Sequence, residues 1–385
     1  MHDHVNSDSV VGDLKLESVP FSSKTGKTMT IRDRWGLRGP VQSCRLERTW
    51  FSRRCGADTC ETEEHADMSN VEFRADGSLA REWHRNPDGS EWTTTFEYDR
   101  AGQLLNVRTE NTSGLVGLQI YEYDAAGRSA RLIARAKDGG ERVAETYTYD
   151  TAGRKKKTLY VDLTMQDPNI HTTWGVEGSD SSYSAPGAAT LTTVYDEREH
   201  PTELLFHDVQ GRLLSRVEFR YDEGGHLVEE AQSRAEEMLP RELVANLNAE
   251  QLATVRTLFG ATEPIRQLHR YDEQGRRTET RSQMGPLGGH RKTVAYNDHG
   301  DQIEEVFEHE TREYGMDEQG RLSERPTKET VRRSEARFRY NYDTHGNWVE
   351  KVIEGRGGVD QEFIVSSIER RLLAYYGEEN RINQP

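Results

Sequence analysis

The stretch YEYDAAGRSARL, residues 121–132, decides the fold because close copies of it recur along the chain. Further copies begin at Phe96, Tyr147, Phe219, His269 and Tyr340. More degenerate copies lie between them. Self-similarity at a regular spacing is the sequence signature of a repeat architecture.

Each copy reads as a strand that ends in a tight turn. Tyr121 and Tyr123 are two residues apart, so on a strand they share one face. Asp124 suits the first position of a turn because its carboxylate accepts backbone N–H groups, and Gly127 suits the fourth because it tolerates positive φ. The chain then returns as a partner strand, so the copy predicts a β-hairpin with a short bulged loop.

The turn pairs recur about every 25 residues, with degenerate turns between them, which is the spacing of a meander of short strands. The predicted turn residues are Asp99, Gly102, Asp124, Gly127, Asp150, Gly153, Asp222, Gly225, Asp272, Gly275, Asp343 and Gly346. One face of the sheet should carry an aromatic ladder and the other charged residues. The sequence therefore predicts an all-β fold over residues 31–375. In it, repeated antiparallel hairpins form one long curved or coiled sheet, a partial shell or solenoid.

Four segments depart from this rhythm. Residues 1–30 have the composition of a flexible leader, and residues 376–385 are expected to form a tail. Residues 163–190 are rich in Gly, Ser and Pro and are predicted to form a long loop between hairpins. Residues 235–260 change to helical spacing, with a capping box from Asn248 and a stop at Gly260, and are predicted to form a helical insertion.

Composition excludes several classes of protein. The 385 residues carry a net charge of −16, and only 33% of them are apolar, with a mean hydropathy of −0.90. Acidic surfaces repel nucleic acid and anionic lipid, and no apolar run approaches the roughly 18 residues of a membrane helix. We expect no nucleic-acid partner and no membrane insertion. The N-terminus lacks the apolar region of a signal peptide, so the default expectation is cytoplasmic, or exported if a leader was removed.

The three cysteines leave alternatives open. Cys55 and Cys60 could form a local disulfide, which would favour an exported protein. Reduced thiols are the second interpretation. A metal site of Cys44, Cys55, Cys60 and His65 is the third, although the four residues between Cys55 and Cys60 are not a usual zinc spacing. The disulfide between Cys55 and Cys60 and the reduced thiols both stay open, and no bound metal is expected.

The repeated Y-D-x-x-G-[RN]-[LIV] pattern resembles the YD-repeat family, also called Rhs repeats. The resemblance covers roughly residues 70–230 and 265–375. Within the family, the chain is similar to the small stand-alone bacterial members. It implies a β-sheet scaffold that binds or encloses a partner. The large members end in a self-cleaving core segment and a toxin domain. Here the Asp167-Pro168 pair lies mid-chain without that motif, and no toxin domain is expected.

Catalysis is not expected, because the recurrent aspartates all occupy the same turn position and no catalytic or phosphate-binding motif is present. No cofactor is expected. We predict a non-catalytic scaffold that binds a protein or carbohydrate partner, with Trp174, Trp92 and Trp348 as candidate binding residues. Alternatives are surface adhesion or a part in bacterial antagonism. A further alternative is a hydrolase built from non-repeated acidic or histidine residues near the 163–190 loop or the helical insertion. A glycan site needs a solvent-exposed aromatic platform with polar neighbours, whereas a structural ladder is buried.

Overall fold

The computed structural model describes most of the chain. The described residues are 30–55, 60–161, 174–176, 179, 181–235, 248–258, 264–283, 288–313, 315, 326–358 and 360–378. The predicted leader and parts of the predicted loop, helical insertion and tail lie outside these residues.

The described residues are almost entirely β-strand. The strands are β1 (Val41–Cys55), β2 (Cys60–Phe73), β3 (Leu79–Arg85), β4 (Glu91–Tyr98), β5 (Leu104–Asn111), β6 (Gly114–Tyr123), β7 (Ser129–Ala136), β8 (Glu141–Tyr149), β9 (Lys155–Tyr160), β10 (Trp174–Gly175), β11 (Ser182–Tyr183), β12 (Thr190–Tyr195), β13 (Pro201–His207), β14 (Leu213–Tyr221), β15 (Leu227–Arg234), β16 (Ile265–Tyr271), β17 (Arg277–Gln283), β18 (Gly288–Tyr296), β19 (Gln302–Glu313), β20 (Lys328–Tyr342), β21 (Trp348–Arg356) and β22 (Ile364–Tyr375). The helices are α1 (Ile31–Arg34) and α2 (Ala249–Leu258).

Twenty of these strands form one antiparallel sheet in which each strand pairs with its neighbours in sequence. β9 pairs with β12, so the sheet continues directly from one to the other. β10 and β11 form a small separate hairpin that is not part of it. β1 pairs with β2 on one side and with β22 on the other. The last strand therefore returns to the first, and the sheet is a closed 20-stranded β-barrel.

Closure corrects the predicted architecture. The open partial shell or solenoid is wrong, and so is the description of the chain as an open hairpin-repeat array of the YD or Rhs type. The turns specify pairing between adjacent strands only, whereas closure pairs Val41 with Tyr375 at opposite ends of the chain. Because an open sheet leaves two edges with unpaired backbone groups, closing the ring satisfies both of them at once.

The aromatic face of the strands is the inner face of the barrel. On β14, Val217 and Phe219 are 0% and 5% exposed, whereas the intervening Glu218 and the following Arg220 are exposed. This alternation places one set of side chains inside and the other in solvent. Two buried apolar clusters lie on the inner face, one on β12–β15 and one on β1–β5.

The predicted turn chemistry is seen in atomic detail at Asp124. Its backbone N–H bonds to the carbonyl of Arg128 at 2.8 Å. Its Oδ1 accepts the N–H groups of Ala126 and Arg128, each at 2.9 Å. Gly127 has φ +77°, a conformation that disfavours residues with a Cβ. The turns after β4, β8, β14, β16 and β20 use the same arrangement, so we call this end of the barrel the turn end.

Two segments cover parts of the inner face. Within the predicted 163–190 loop, the β10–β11 hairpin places Trp174 edge-on to Phe206 at 5.8 Å and Tyr183 edge-on to Phe219 at 6.0 Å. We call the residues described between 174 and 188 the plug. Near the turn end, the chain around α1 packs Trp35 against Phe73 at 6.4 Å.

The helical insertion is represented by α2. Asn248 and Gln251 exchange the two hydrogen bonds of a capping box, each at 2.9 Å. Among the described residues, neither helix has the length and apolar character needed to cross a membrane.

Candidate binding site on the inner wall

Most inward tyrosines are structural. In several copies the tyrosine before the turn donates its hydroxyl hydrogen to a backbone carbonyl at the start of the preceding strand, which is its neighbour in the barrel. Tyr123 reaches Leu104 at 2.7 Å, and Tyr271 reaches Leu227 at 2.8 Å. The same bond is made by Tyr149, Tyr221 and Tyr296. These rings tie successive hairpins together and are not available as a ligand platform.

The three tryptophans predicted to bind have different surroundings. Trp174 is 7% exposed and is part of the plug core, where it anchors the segment. Trp92 is 37% exposed at the start of β4, near the end of the barrel opposite the turn end. Trp348 is half-buried at the start of β21, near the turn end. The structure therefore places Trp92 and Trp348 on the inner wall, apart from each other, and removes Trp174 from solvent.

Between Trp92 and Trp348 the inner wall carries a row of charges on adjacent strands. Lys351 Nζ lies 2.6 Å from Glu369 Oε2. Arg48 Nε lies 3.3 Å from the other oxygen of Glu369, and Arg48 Nη1 lies 3.8 Å from Asp67 Oδ2. The four residues are direct cross-strand partners on β21, β22, β1 and β2. Glu369 is only 7% exposed, so these ion pairs are screened less than pairs on the outer surface.

The Trp348 end of the row combines aromatic rings with cations. The guanidinium carbon of Arg371 lies 3.6 Å from the Trp348 ring centroid, and Lys351 Nζ lies 5.3 Å from it. Tyr340 lies beside them, with its ring 6.4 Å from that of Trp348. Burial raises the pKa of the Tyr340 hydroxyl on β20, and it raises the pKa of the Cys44 thiol on β1 to about 11. Both groups are therefore neutral at physiological pH.

The Trp92 end is polar but less charged. His84 and Asn111 are the cross-strand partners of Trp92, and His84 Nε2 lies 2.7 Å from Asn86 Oδ1. One row nearer the turn end, Glu82 borders the buried apolar cluster of β1–β5. Its Oε1 is buried and has no hydrogen-bond partner among the described residues, and burial raises the pKa of its carboxyl to about 7.

These residues form one continuous surface, which we call the inner band. Its members are Trp92, His84, Ser69, Asp67, Arg48, Glu369, Lys351, Arg371 and Trp348. Five strand-to-strand steps separate β4 from β21, so the band extends for about 24 Å around the wall. It offers two partly exposed indole rings with hydrogen-bonding groups between them, the composition of a ligand site.

The predicted turn residues have a structural role. The turn aspartates and glycines lie in the turns at one end of the barrel. Hydrogen bonds from the backbone and side chain of Arg128 lower the pKa of Asp124, and the corresponding arginine lowers the pKa of Asp150. An acceptor role of this kind explains their repetition.

The cysteines do not lie at one point. Cys44 on β1 is buried opposite Val71 on β2. Val71 is six residues from His65 along β2, so Cys44 and His65 are not together. Cys55 and Cys60 are opposite each other in backbone register at the end of β1 and β2, but their side chains lie outside the described structure, so the disulfide stays a prediction. In the described part of the chain, no three histidine, cysteine or carboxylate side chains are grouped as metal ligands.

A second polar cluster fastens the plug to the wall. Glu230 accepts hydrogen bonds from Ser179 Oγ at 2.8 Å and from the hydroxyl of Tyr183. Its other oxygen lies 2.7 Å from Nε2 of His269, whose Nδ1 lies 3.0 Å from Thr280 Oγ1. The Glu230 and His269 side chains are each 1% exposed. Glu230 and His269 are non-repeated residues near the 163–190 loop, the kind that the hydrolase alternative names, and both side chains are buried.

Sequence reasoning missed the charged residues of the inner band and the Glu230 cluster. A signal was present, because the Y-x-Y-D motif sets which alternate positions of a strand face inward. Lys351, Glu369 and Glu230 are charged residues at inward positions, where most copies have apolar or aromatic residues. A charge at an inward position that the other copies do not share is the pattern to search for.

No family model matches the chain, and no curated protein matches it. Membership of the YD-repeat family therefore has no support beyond the motif itself. Among solved structures, a porin-like protein from Bacteroides uniformis has 9% sequence identity and a TM-score of 0.31, with 88% of this chain and 98% of that chain covered.

A crystal structure of TcdB2-TccC3 has 12% identity and a TM-score of 0.33 over 90% of this chain, which spans only 19% of that one. A DUF1329 family protein from Desulfovibrio piger has 7% identity and a TM-score of 0.15, with 50% of this chain and 79% of that chain covered. Similarities this weak support no assignment of function.

Proposed function

We propose that the protein is a non-catalytic binding protein that holds a saccharide along the inner band. The observation that carries the proposal is Trp92, a tryptophan that is 37% exposed on the inner wall of the barrel. Its cross-strand neighbours are His84 and Asn111. This is the exposed aromatic platform with polar neighbours that distinguishes a glycan site from a buried ladder.

The chemistry of the band suits a saccharide. Sugar rings present an apolar face that stacks on indole and a rim of hydroxyls that both donate and accept hydrogen bonds. Carboxylates such as Asp67 and Glu369 accept those bonds, and Lys351 and Arg48 donate them. The hydroxyls of Tyr123 and Tyr271 bond to backbone carbonyls and that of Tyr342 bonds to Asp301, so we expect the two band tryptophans to contact the ligand.

The test measures the binding of a panel of defined oligosaccharides by tryptophan fluorescence and by calorimetry. Trp92→Ala and Trp348→Ala should each weaken the best binder about tenfold or more, the usual effect of removing a central aromatic contact. The control is Trp83→Ala, because Trp83 is the neighbour of His84 on the opposite face of β3, where Arg85 covers its ring at 5.4 Å.

Trp83→Ala should leave the dissociation constant unchanged. Trp92→Ala should lower the melting temperature only slightly, because Trp92 is 37% exposed and lies outside the buried apolar clusters. The proposal fails if no oligosaccharide of the panel binds the wild-type protein. It also fails if Trp83→Ala weakens binding as much as Trp92→Ala does. Capture of a polypeptide instead, without any saccharide, would point to a protein partner.

A further inference from the structure

Arg371 is a cation on the inner wall without a carboxylate partner. In the described structure its Nη1 is buried and donates no hydrogen bond. Its Nη2 donates a hydrogen bond to the backbone carbonyl of Trp35 at 3.4 Å. The guanidinium plane stacks on the indole ring of Trp348. Burial lowers the pKa of the guanidinium, although the nearby Glu369 carboxylate favours the charged form.

The outward arginines of the same region are paired. Arg370 precedes Arg371 on β22 and points to the opposite face of the strand, where its Nε donates to Glu350 at 3.1 Å. Arg339 on β20 bonds to Glu354 at 2.7 Å. The lack of a carboxylate partner at Arg371 therefore does not follow from a local shortage of glutamate.

The carboxylates near Arg371 are engaged by other groups. Lys351 and Arg48 share Glu369, and Arg48 also faces Asp67. Asp301 favours the charged form of Arg371 as well, but its Oδ2 accepts the hydroxyl hydrogen of Tyr342. A buried donor that makes no hydrogen bond is costly, and the stacking on Trp348 offsets only a part of that cost. An anion supplied by a ligand would accept the hydrogen bond that Nη1 of Arg371 does not make.

We propose that Arg371, with Lys351 beside it on Trp348, forms a subsite for an anionic group of the ligand, a carboxylate or sulfate on an acidic saccharide. This inference rests on the proposed function, since it names the chemical class of the saccharide. The sugar ring carrying the anion would stack at Trp348, and the neutral remainder would extend along the band toward Trp92. A planar guanidinium suits this role because it can donate two parallel hydrogen bonds to a carboxylate or sulfate.

The experiment compares an oligosaccharide of uronic acid with the same oligosaccharide after its carboxyls are reduced to alcohols. Calorimetry of the full chain should show wild-type protein binding the acidic form about tenfold or more tightly, as expected for one charge-assisted contact. The preference should shrink as salt is raised, because salt screens the charges. Inorganic sulfate alone, as a second probe, should compete with the acidic form and not with the reduced one.

Arg371→Gln should abolish the preference for the acidic form, so that the acidic and reduced forms bind with similar affinity. Arg371→Lys, which keeps the charge, should retain part of the preference, and the matched control Arg370→Gln should retain all of it. If Arg371→Gln does not fold, the loss of part of the preference in Arg371→Lys decides the matter. An equal preference in wild type and both Arg371 variants would overturn the inference.

The two proposals fail in different ways. If the reduced oligosaccharide binds through Trp92 and no acidic preference exists, the anionic subsite is wrong and the saccharide site survives. If neither form binds, and no other saccharide of the panel does, both proposals are wrong.

Discussion

At the scale of the residue, the two members of each Tyr-Asp pair have separate roles. The aspartate closes its own turn by accepting backbone N–H groups, as Asp124 does. The tyrosine joins hairpins through its hydroxyl, as Tyr149 does with Ser129. The residue after the turn glycine adds a second link, since Arg128 lies over the ring of Tyr149 at 4.1 Å. The motif therefore recurs because every copy makes both local and inter-hairpin contacts.

Glu82 gives a prediction for a single residue. Its folded-state pKa is about 7, against an ordinary value of 4.5, so between these values the folded protein binds more protons than the unfolded chain. The free energy of unfolding should therefore fall as pH rises through this window, by about 3 kcal/mol at most. Glu82→Gln cannot ionise and should escape this loss.

The measurement is urea unfolding of wild type and Glu82→Gln at about pH 5 and about pH 8, which lie on either side of the window. The variant should gain stability relative to wild type at the higher pH. Glu97→Gln on β4, an exposed position, is the control and should show a constant difference. A difference that is independent of pH for Glu82→Gln would contradict the raised pKa.

At the scale of the element, the plug is attached by both apolar and polar contacts. Trp174 and Tyr183 fill space against β13 and β14, and Glu230 gathers hydrogen bonds from the plug and from β16. Removing one member of a buried charged network leaves the others without partners, which costs several kcal/mol. The plug should therefore be as stable as the wall that holds it.

Glu230→Gln should lower the free energy of unfolding by about 2–4 kcal/mol. The amide has one acceptor oxygen where the carboxylate has two, so it cannot accept all the hydrogen bonds that Glu230 accepts. Denaturant unfolding measures the loss, and protease cleavage within the plug measures its release. Glu218→Gln is the control, since Glu218 is 53% exposed and pairs with Arg216 on the outer face; its cost should be below about 1 kcal/mol. Equal losses in the two variants would show that Glu230 does not fasten the plug.

At the scale of the whole molecule, the seam between β1 and β22 determines whether the sheet is a closed barrel. The register there runs without interruption from Ser43 with Ala374 to Trp50 with Ser367. On its other side β1 pairs with β2, and β22 pairs with β21. The seam therefore couples the two ends of the chain. Disruption at this position should therefore affect strands that are distant in sequence.

Ile368→Pro tests the seam, because Ile368 pairs with Thr49 on one side and Val352 on the other. Proline in an internal strand should cost roughly 3 kcal/mol. Hydrogen exchange should speed up in β1 and β2 as well as in β21 and β22. Glu362→Pro, in the exposed loop before β22, is the control. Faster exchange confined to β21 and β22 would contradict closure, because an open array would lose only its terminal hairpin.

Much of the local structure could be read from the repeat. The Asp-to-Gly spacing indicates where strands end, and the alternation of Tyr121 and Tyr123 indicates which face is apolar. The binding residues were less accessible: Trp92 and Trp348 could be named as aromatic candidates, but so could Trp174, which the fold buries. A tryptophan in a Gly- and Ser-rich segment has no sequence feature that separates an anchor from an exposed platform.

The sequence by itself determined the hairpins, their spacing and the inward phase of each strand, because these depend on residues within a dozen positions of one another. Only the tertiary structure decided that the sheet closes, that the plug lies inside it, and that Arg48, Glu369 and Lys351 form one charged row. Those features join residues that are far apart in the sequence, the barrel seam and the charged row from opposite ends of the chain. Their contacts follow from the accumulated twist and register of twenty strands, which no single copy of the motif contains.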